Sequence, residues 1–431
     1  MLYGLKAKII TAAKRCIGYV ADTHVLKNKQ MKQMKQKLRA CISLICACIL
    51  LVPNGAFANE ETTASENEED TMHLQTPCAL LMEASTGTVI YEKNADEQRT
   101  PASVTKIMTL LLIYDSIHAG KISLMDEVTT SAHAKSMGGS QVFLEEGEQQ
   151  TVETLIKCIV IASANDAAVA MAEYISGTKD AFVQMMNEKA ASLGMAHTHF
   201  VDCCGLTEDA RHYSSARDIA IMSRELILNY PDIFKYSGIW MEDMTHVTKQ
   251  GTKIFTLTNT NKLLRQFDGC TGLKTGSTSI AKYCLSATAD KNQIQMIAVI
   301  LGAPDSKTRF AEAAALLNYG YSQCSLYQDT PQTLLSQLPV TKGKFGEVHI
   351  EYQGSAAYLS MTAEDFSNIQ KEIRLEEAIE APFEKGTKVG VVSYTLKGRE
   401  IATVDIVTGE GCPAANYWDC MKKAWNALAG L

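Results

Sequence analysis

Thr100-Pro101-Ala102-Ser103-Val104-Thr105-Lys106-Ile107-Met108-Thr109-Leu110-Leu111-Leu112 is the stretch around which the rest of the chain is organised. Beyond Lys106 it is almost wholly apolar, which predicts a buried helix rather than one lying on a surface. Thr100 is expected to cap this helix and Pro101 to occupy its first position. Ser103 then falls in the first turn and Lys106 one turn later on the same face, so an amine can reach a hydroxyl where the helix opens into a cleft. The positive end of the helix dipole favours negative charge there.

Moving outward, the pattern changes to strands on both sides. Residues 79–83 and 89–92 are apolar runs joined by Ala84-Ser85-Thr86-Gly87, a hairpin signal. Residues 283–289 and 294–301 form a second such pair across Asp290-Lys291-Asn292. Helical periodicity fills the interval, over 155–162, 167–175, 181–193 and 216–228. Strands from both ends enclosing helices predict one antiparallel sheet flanked by helices, an α+β domain over 74–327. From about residue 328 the chain turns to short alternating strands at 340, 348–352, 357–361, 388–394 and 401–407, a small all-β domain over 328–411. No internal repeat is visible.

The end of the chain, 412–431, reads as an amphipathic helix. Trp418, Met421, Trp425 and Leu428 fall on one stripe, with Asp419, Lys422, Lys423 and Asn426 elsewhere. Two placements fit this pattern: lying on a membrane with its tryptophans at headgroup level, or docked on the β domain.

Residues 31–58 read as a secretory signal, with Lys32, Lys35, Lys37 and Arg39 before an apolar run over 40–52 and the small-residue site Ala56-Phe57-Ala58. The apolar run is too short to span a bilayer. The expectation is that the true start is Met31 or Met34, that 1–58 is a pre-sequence and that 59–73 is an acidic disordered leader. The formal charge is −7, and without residues 1–58, which hold ten basic residues and one acidic, it becomes −16. Such a chain is a poor ligand for nucleic acid. Of thirteen cysteines, Cys16, Cys41, Cys46 and Cys48 lie in the pre-sequence. The remaining nine are too sparse for a disulfide framework, and Cys158 and Cys284 sit in apolar runs that suit core residues.

Three short motifs carry the chemistry: Ser103-Val104-Thr105-Lys106, Ser163-Ala164-Asn165 and Lys274-Thr275-Gly276. Ser-x-x-Lys recurs at Ser176–Lys179 and Ser279–Lys282, and Ser-x-Asn at Ser65–Asn67, so each motif alone is weak. One copy of each stands in an order and local setting that the others lack. Lys106 can act as a base only if its pKa is lowered, which burial beside another cation such as Lys274 would do. By itself the motif more readily fits a lysine that reaches out to solvent. Ser163-Ala164-Asn165 lies between two helical runs, where Asn165 or Asp166 can cap the helix from 167. A hydroxyl and an amide at that junction also suit proton relay and a substrate amide. Lys274 and Thr275, at the end of a strand, can bind a carboxylate, while Gly276 lets a peptide approach the strand edge. An exposed turn is the plainer reading of that tripeptide. Together the motifs supply what acyl transfer through a serine ester needs.

The surrounding residues resemble the penicillin-recognising serine enzymes, and within them the low-molecular-weight D-alanyl-D-alanine carboxypeptidases. The matches are Pro101 through Thr109, Met137-Gly138-Gly139-Ser140, Tyr213-Ser214-Ser215-Ala216-Arg217-Asp218, Thr271-Gly272-Leu273-Lys274-Thr275-Gly276-Ser277 and Ala381-Pro382-Phe383-Glu384-Lys385-Gly386. The resemblance implies a β-lactamase/DD-peptidase-like α+β domain with a helical cluster, followed by a small all-β domain. It implies Ser103 as nucleophile, Lys106 as its base and Ser163 as proton relay. Asn165 would hold the acyl-side amide, Lys274 and Thr275 the terminal carboxylate, with Gly276 and Ser277 on the same strand. The backbone amides of Ser103 and Ser277 would form the oxyanion hole. Peptidoglycan stem peptides would be the substrates and β-lactams the inhibitors, with no cofactor and no metal.

Other readings compete. Glu225 to Asn229 matches the Glu-x-x-Leu-Asn of class A β-lactamases, but it lies too far past Ser163 and is expected to be a solvated helix face. Ala164 and the extra β domain also depart from a β-lactamase. His197-Thr198-His199 with Asp202, Cys203 and Cys204 contains zinc-ligand types without a zinc-binding pattern around them. An endopeptidase or transpeptidase would use the same site, and a non-catalytic wall-binding protein would keep the cleft without turnover.

Overall fold

The computed structural model describes residues 72–332, 335–362 and 364–429. The pre-sequence, its secretory signal and the leader up to residue 71 lie outside the described residues.

Strand β1 (Cys78–Glu83) and β2 (Val89–Lys93) form the expected first hairpin. A 3-10 turn over Ala102–Thr105 leads into α1 (Lys106–His118), followed by α2 (Val152–Ile161), α3 (Asn165–Ser176), α4 (Lys179–Ser192) and α5 (Ala216–Asn229). A two-stranded ribbon, Met241–Thr248 with Gly251–Thr258, follows and was not foreseen. The chain then returns through β3 (Cys270–Thr278), β4 (Lys282–Lys291) and β5 (Ile294–Ala303) to α6 (Ser306–Gln323).

These strands make one antiparallel sheet in the order β2-β1-β5-β4-β3. Because side chains alternate along a strand, both faces can be apolar and each can be covered separately. Leu80, Met82, Ile297 and Val299 face the cluster of α1 to α5, while Leu81, Leu285 and Ile300 pack under Phe310, Leu316 and Leu317 of α6. Burying each such side chain contributes about 1.5–3 kcal/mol. Helix α1 is enclosed as its composition predicts: Ile107, Met108, Leu111 and Ile113 are all fully buried.

Two helix starts differ from expectation. Thr100 does not cap α1 with Pro101 at its first position; the chain enters through the 3-10 turn, with no side-chain cap bond at Pro101. The left-handed backbone of Ala102 (φ 48°) interrupts the helical path, so Ser103 sits in the tighter turn and the α-helix begins at Lys106. Helix α3 likewise starts at Asn165 rather than 167, with Ala164 at its cap position and no side-chain cap bond. Tertiary partners claim the two candidate caps. Asn165 is drawn to Lys106, and the Asp166 carboxylate accepts the backbone amides of Val142, Leu144 and Ala167.

Past α6, strand Ser325–Asp329 pairs with Ala356–Ser360. The small domain is built on a sheet of β6 (Ile350–Gln353), β7 (Gln370–Leu375), β8 (Lys388–Leu396) and β9 (Arg399–Thr408), in the order β6-β9-β8-β7. Its core includes Ile350, Val392, Tyr394, Val404 and Ile406. Helix α7 (Tyr417–Ala429) follows. Trp418 and Trp425 are 76% and 73% exposed, so they are not packed into the β domain.

Candidate active site

Helix α1, the α2–α3 junction and strand β3 deliver their polar groups to one place. The close approach of β3 to the 102–105 turn depends on a glycine. A β-carbon at Gly276 would lie 2.9 Å from Pro101 O and from the backbone nitrogens of Ser103 and Val104. The Lys106 ammonium nitrogen, wholly buried, donates to Ser103 Oγ at 3.1 Å, to Asn165 Oδ1 at 2.5 Å and to the Cys204 carbonyl at 2.8 Å. Asn165 is fixed in turn, since its Nδ2 donates to Gly138 O at 2.7 Å and its backbone amide to Ser140 O at 2.7 Å. Burial pushes the Lys106 pKa below the usual lysine value, against the opposing pull of Cys204, Asp202, Cys203 and Asp166.

A second arm comes from β3. Lys274 Nζ donates to Ser163 Oγ at 2.8 Å and to Thr275 O at 3.0 Å. Burial, then the charges of Lys106 and Arg309, hold the Lys274 pKa well below its ordinary value. Thr275 Oγ1 lies 2.6 Å from Thr260 Oγ1, and the Thr260 amide donates to Ile161 O, so β3 is tied to the end of α2. Two buried lysines whose pKa values are lowered, two hydroxyls and a carboxamide brought together form a site able to activate a hydroxyl and receive an anion.

The structure brings Ser103, Lys106, Ser163, Asn165, Lys274 and Thr275 into these two arms and sets Gly276 against the 102–105 turn. Ser277 lies one residue further along β3 and is exposed. The stray motifs lie elsewhere: Ser176 ends α3 and bonds back to Ala172 O, while Ser279–Lys282 forms the β3–β4 turn. Glu225 pairs with Lys189 on the neighbouring helix. The candidate zinc ligands serve other ends: Asp202 accepts backbone amides of its own turn and the thiols of Cys203 and Cys204 are buried. Among the described residues, no group of three or more His, Cys, Asp or Glu is placed to hold a metal ion.

Sequence reasoning missed several contributors. The Cys204 carbonyl has no signature, being backbone. Arg309 had one, an arginine on a largely apolar face of α6 that it shares with Glu312. Its guanidinium donates to Gly276 O and Cys284 O at 3.2 Å each, holding β3 from behind.

Comparison with known proteins gives the family. The family model described as D-alanyl-D-alanine carboxypeptidase matches residues 61–305, and that of the penicillin-binding protein 5 C-terminal domain matches 321–413. The D-alanyl-D-alanine carboxypeptidase DacF of Bacillus subtilis is 40% identical over 88% of this chain and 96% of its own length. The crystal structure of penicillin-binding protein 5 from Haemophilus influenzae superposes with a TM-score of 0.64 at 29% identity, covering 79% of this chain and 98% of that one. That of penicillin-binding protein D2 from Listeria monocytogenes, in the ampicillin-bound form, covers 57% of this chain and 97% of that one, at 28% identity and a TM-score of 0.50. The chain therefore belongs to the serine-type D-alanyl-D-alanine carboxypeptidases with a penicillin-binding protein 5 C-terminal domain, hydrolases of peptides that end in D-alanyl-D-alanine.

Proposed function

We propose that Ser103 is the nucleophile and Lys106 its base. Ser103 Oγ attacks the carbonyl carbon of the terminal D-Ala-D-Ala bond and passes its proton to the Lys106 amine. The oxyanion that forms is held by the backbone amides of Ser103 and Ser277. Ser163, hydrogen-bonded to Lys274, relays the proton taken up by Lys106 to the leaving nitrogen, so that both return to their starting states, and D-alanine departs with its carboxylate released from Lys274 and Thr275. Asn165 holds the acyl-side amide, and Gly276 leaves room for the peptide backbone along β3. Water then cleaves the ester and regenerates Ser103. The observation that carries this reading is the 3.1 Å contact between a fully buried lysine amine and Ser103 Oγ.

Peptidoglycan stem peptides are the substrates in this reading, and β-lactams acylate Ser103 as slowly hydrolysed mimics. The ampicillin-bound relative supports the second part. The enzyme acts outside the cytoplasm, and α7 rests on the outer face of the cytoplasmic membrane. Exposed Tyr417, Trp418, Met421 and Trp425 support that contact. The deciding experiment is the intact mass of the chain from Asn59 onward after brief exposure to penicillin, beside Ser103→Ala. One drug mass added to the first and none to the second is expected; an unmodified wild-type chain with intact drug would overturn the serine reading.

A further inference from the structure

Lys106 has three hydrogen-bond partners of unequal chemistry. Asn165 Oδ1 and the Cys204 carbonyl can only accept, whereas Ser103 Oγ carries a proton of its own. The orientation of the Asn165 amide is fixed because its Nδ2 faces the Gly138 carbonyl. A neutral amine has two hydrogens and one lone pair. With two pure acceptors claiming the hydrogens, the lone pair is left facing Ser103. The Cys204 carbonyl thus aims the base, as long as the turn that carries it stays in place.

That turn is held by residues that do not touch the reacting groups. Asp202 Oδ1 accepts the backbone amides of Cys204 and, at 2.8 Å, Gly205. Gly205 is left-handed (φ 77°) and pressed so close to the nucleophile turn that a β-carbon would fall 1.9 Å from Ala102 O and 2.8 Å from Thr105 Oγ1. The buried imidazole of His212 closes the arrangement. Its Nδ1 accepts the Val201 amide at 3.1 Å, so the proton sits on Nε2, which donates to Thr105 Oγ1 at 2.8 Å. Thr105 directly precedes Lys106.

We propose that Asp202 and His212 are positioning residues for the acylation step, locking the 202–205 turn against the Ser103 turn so that the Cys204 carbonyl keeps the Lys106 lone pair on Ser103. The proposal rests on the serine reading above and assigns a task to residues outside the three motifs.

Rapid-mixing acylation by benzylpenicillin, followed by mass, separates the acylation rate from the binding constant. His212→Phe removes the donor, Thr105→Val removes the acceptor at nearly constant volume, and His212→Gln keeps a donor. His212→Phe and Thr105→Val should each slow acylation by about tenfold or more, with half-saturating penicillin within about twofold of wild type. The double variant should be no slower than the slower single, and His212→Gln should recover most of the rate. If His212→Phe does not fold, Thr105→Val carries the test. Wild-type rates in His212→Phe and Thr105→Val, or equal losses for Phe and Gln, would overturn the positioning role alone. A wild-type chain that takes no adduct would overturn the serine reading and this role with it.

Discussion

Lys274 Nζ donates to Ser163 Oγ across 111 residues of chain, and Ser163 receives it from a left-handed backbone (φ 61°) that turns its hydroxyl into the cleft. That conformation costs a residue bearing a side chain about 1–2 kcal/mol, and here it is retained for the sake of where the hydroxyl points. Both Ser163→Ala and Ser163→Gly should lose D-alanine release by about 10²-fold or more, the scale of a lost proton relay. They should part company in thermal melting, where the glycine variant relieves the strain and melts higher than the alanine variant. Equal melting points would mean that the left-handed backbone carries no cost.

Lys106 makes the rate depend on pH in a defined direction. Burial lowers its pKa, so the neutral, proton-accepting amine gains population as pH rises through that lowered value. kcat/KM should climb as pH rises through that value, which lies below the roughly 10.4 at which a free lysine titrates, and should fall again once Lys274, also lowered by burial, loses its charge. The folded chain binds fewer protons than the unfolded one between the two values, so stability should also rise with pH across that window. Lys106→Arg cannot supply a base and should lose about 10³-fold in D-alanine release.

Gly276→Ala puts a methyl group against three backbone atoms of the turn that carries Ser103, the proposed nucleophile. Neither β3 nor the buried α1 can yield freely, so Ser103 is displaced relative to β3. Acylation by penicillin should fall about 10²-fold, as for a shift near 1 Å. An acylation rate equal to wild type would show that the two backbones are not in register during catalysis.

Arg309→Leu strips the donors from the Gly276 and Cys284 carbonyls and leaves them buried. Each orphaned acceptor costs about 1–3 kcal/mol, so urea midpoints should drop. Because the bond holds β3 beside Lys274 and Thr275, the proposed carboxylate-binding residues, KM should rise more than kcat falls. Burial brings the Arg309 pKa down to about 10, which leaves it charged at neutral pH. One guanidinium nitrogen makes both bonds, so Arg309→Lys, whose ammonium also carries several hydrogens, should restore part of the loss if it reaches as far.

Removing residues 417–431, or replacing Trp418 and Trp425 by alanine, should leave D-alanine release from a soluble peptide unchanged. Binding to vesicles, measured by co-sedimentation, should fall at least tenfold if these rings sit among headgroups. Undiminished binding would place the membrane contact elsewhere.

Much of this was legible in the sequence because the signals were periodic or covalently local. The apolar run after Lys106 announced a buried helix, and the paired runs either side of Asp290-Lys291-Asn292 announced a hairpin. What stayed hidden depends on contacts between distant segments. The left-handed backbone of Ala102 follows from packing against Gly205 and has no sign in Thr100-Pro101, which read as an ordinary helix start. The side chain of Asn165 looked like a cap until a buried amine was available to compete for it. The ribbon at 241–258 mixes Met244 and Leu257, both buried, with exposed Val247 and Ile254, which blurs the alternation that would have revealed it.

The pairing of β1 with β5 also bears on the order in which the molecule can come into being. Leu80 lies opposite Val299, and the Glu312 carboxylate accepts the backbone amides of Gln75 and Thr76. A chain emerging amino end first must keep its opening hairpin without its neighbour strand until more than two hundred further residues have appeared. Contacts of such long separation form slowly, and exposed strand edges are prone to mispairing while they wait. The strand that carries Lys274 arrives almost as late, so a truncated chain ending before β5 should be both aggregation-prone and unable to react with penicillin.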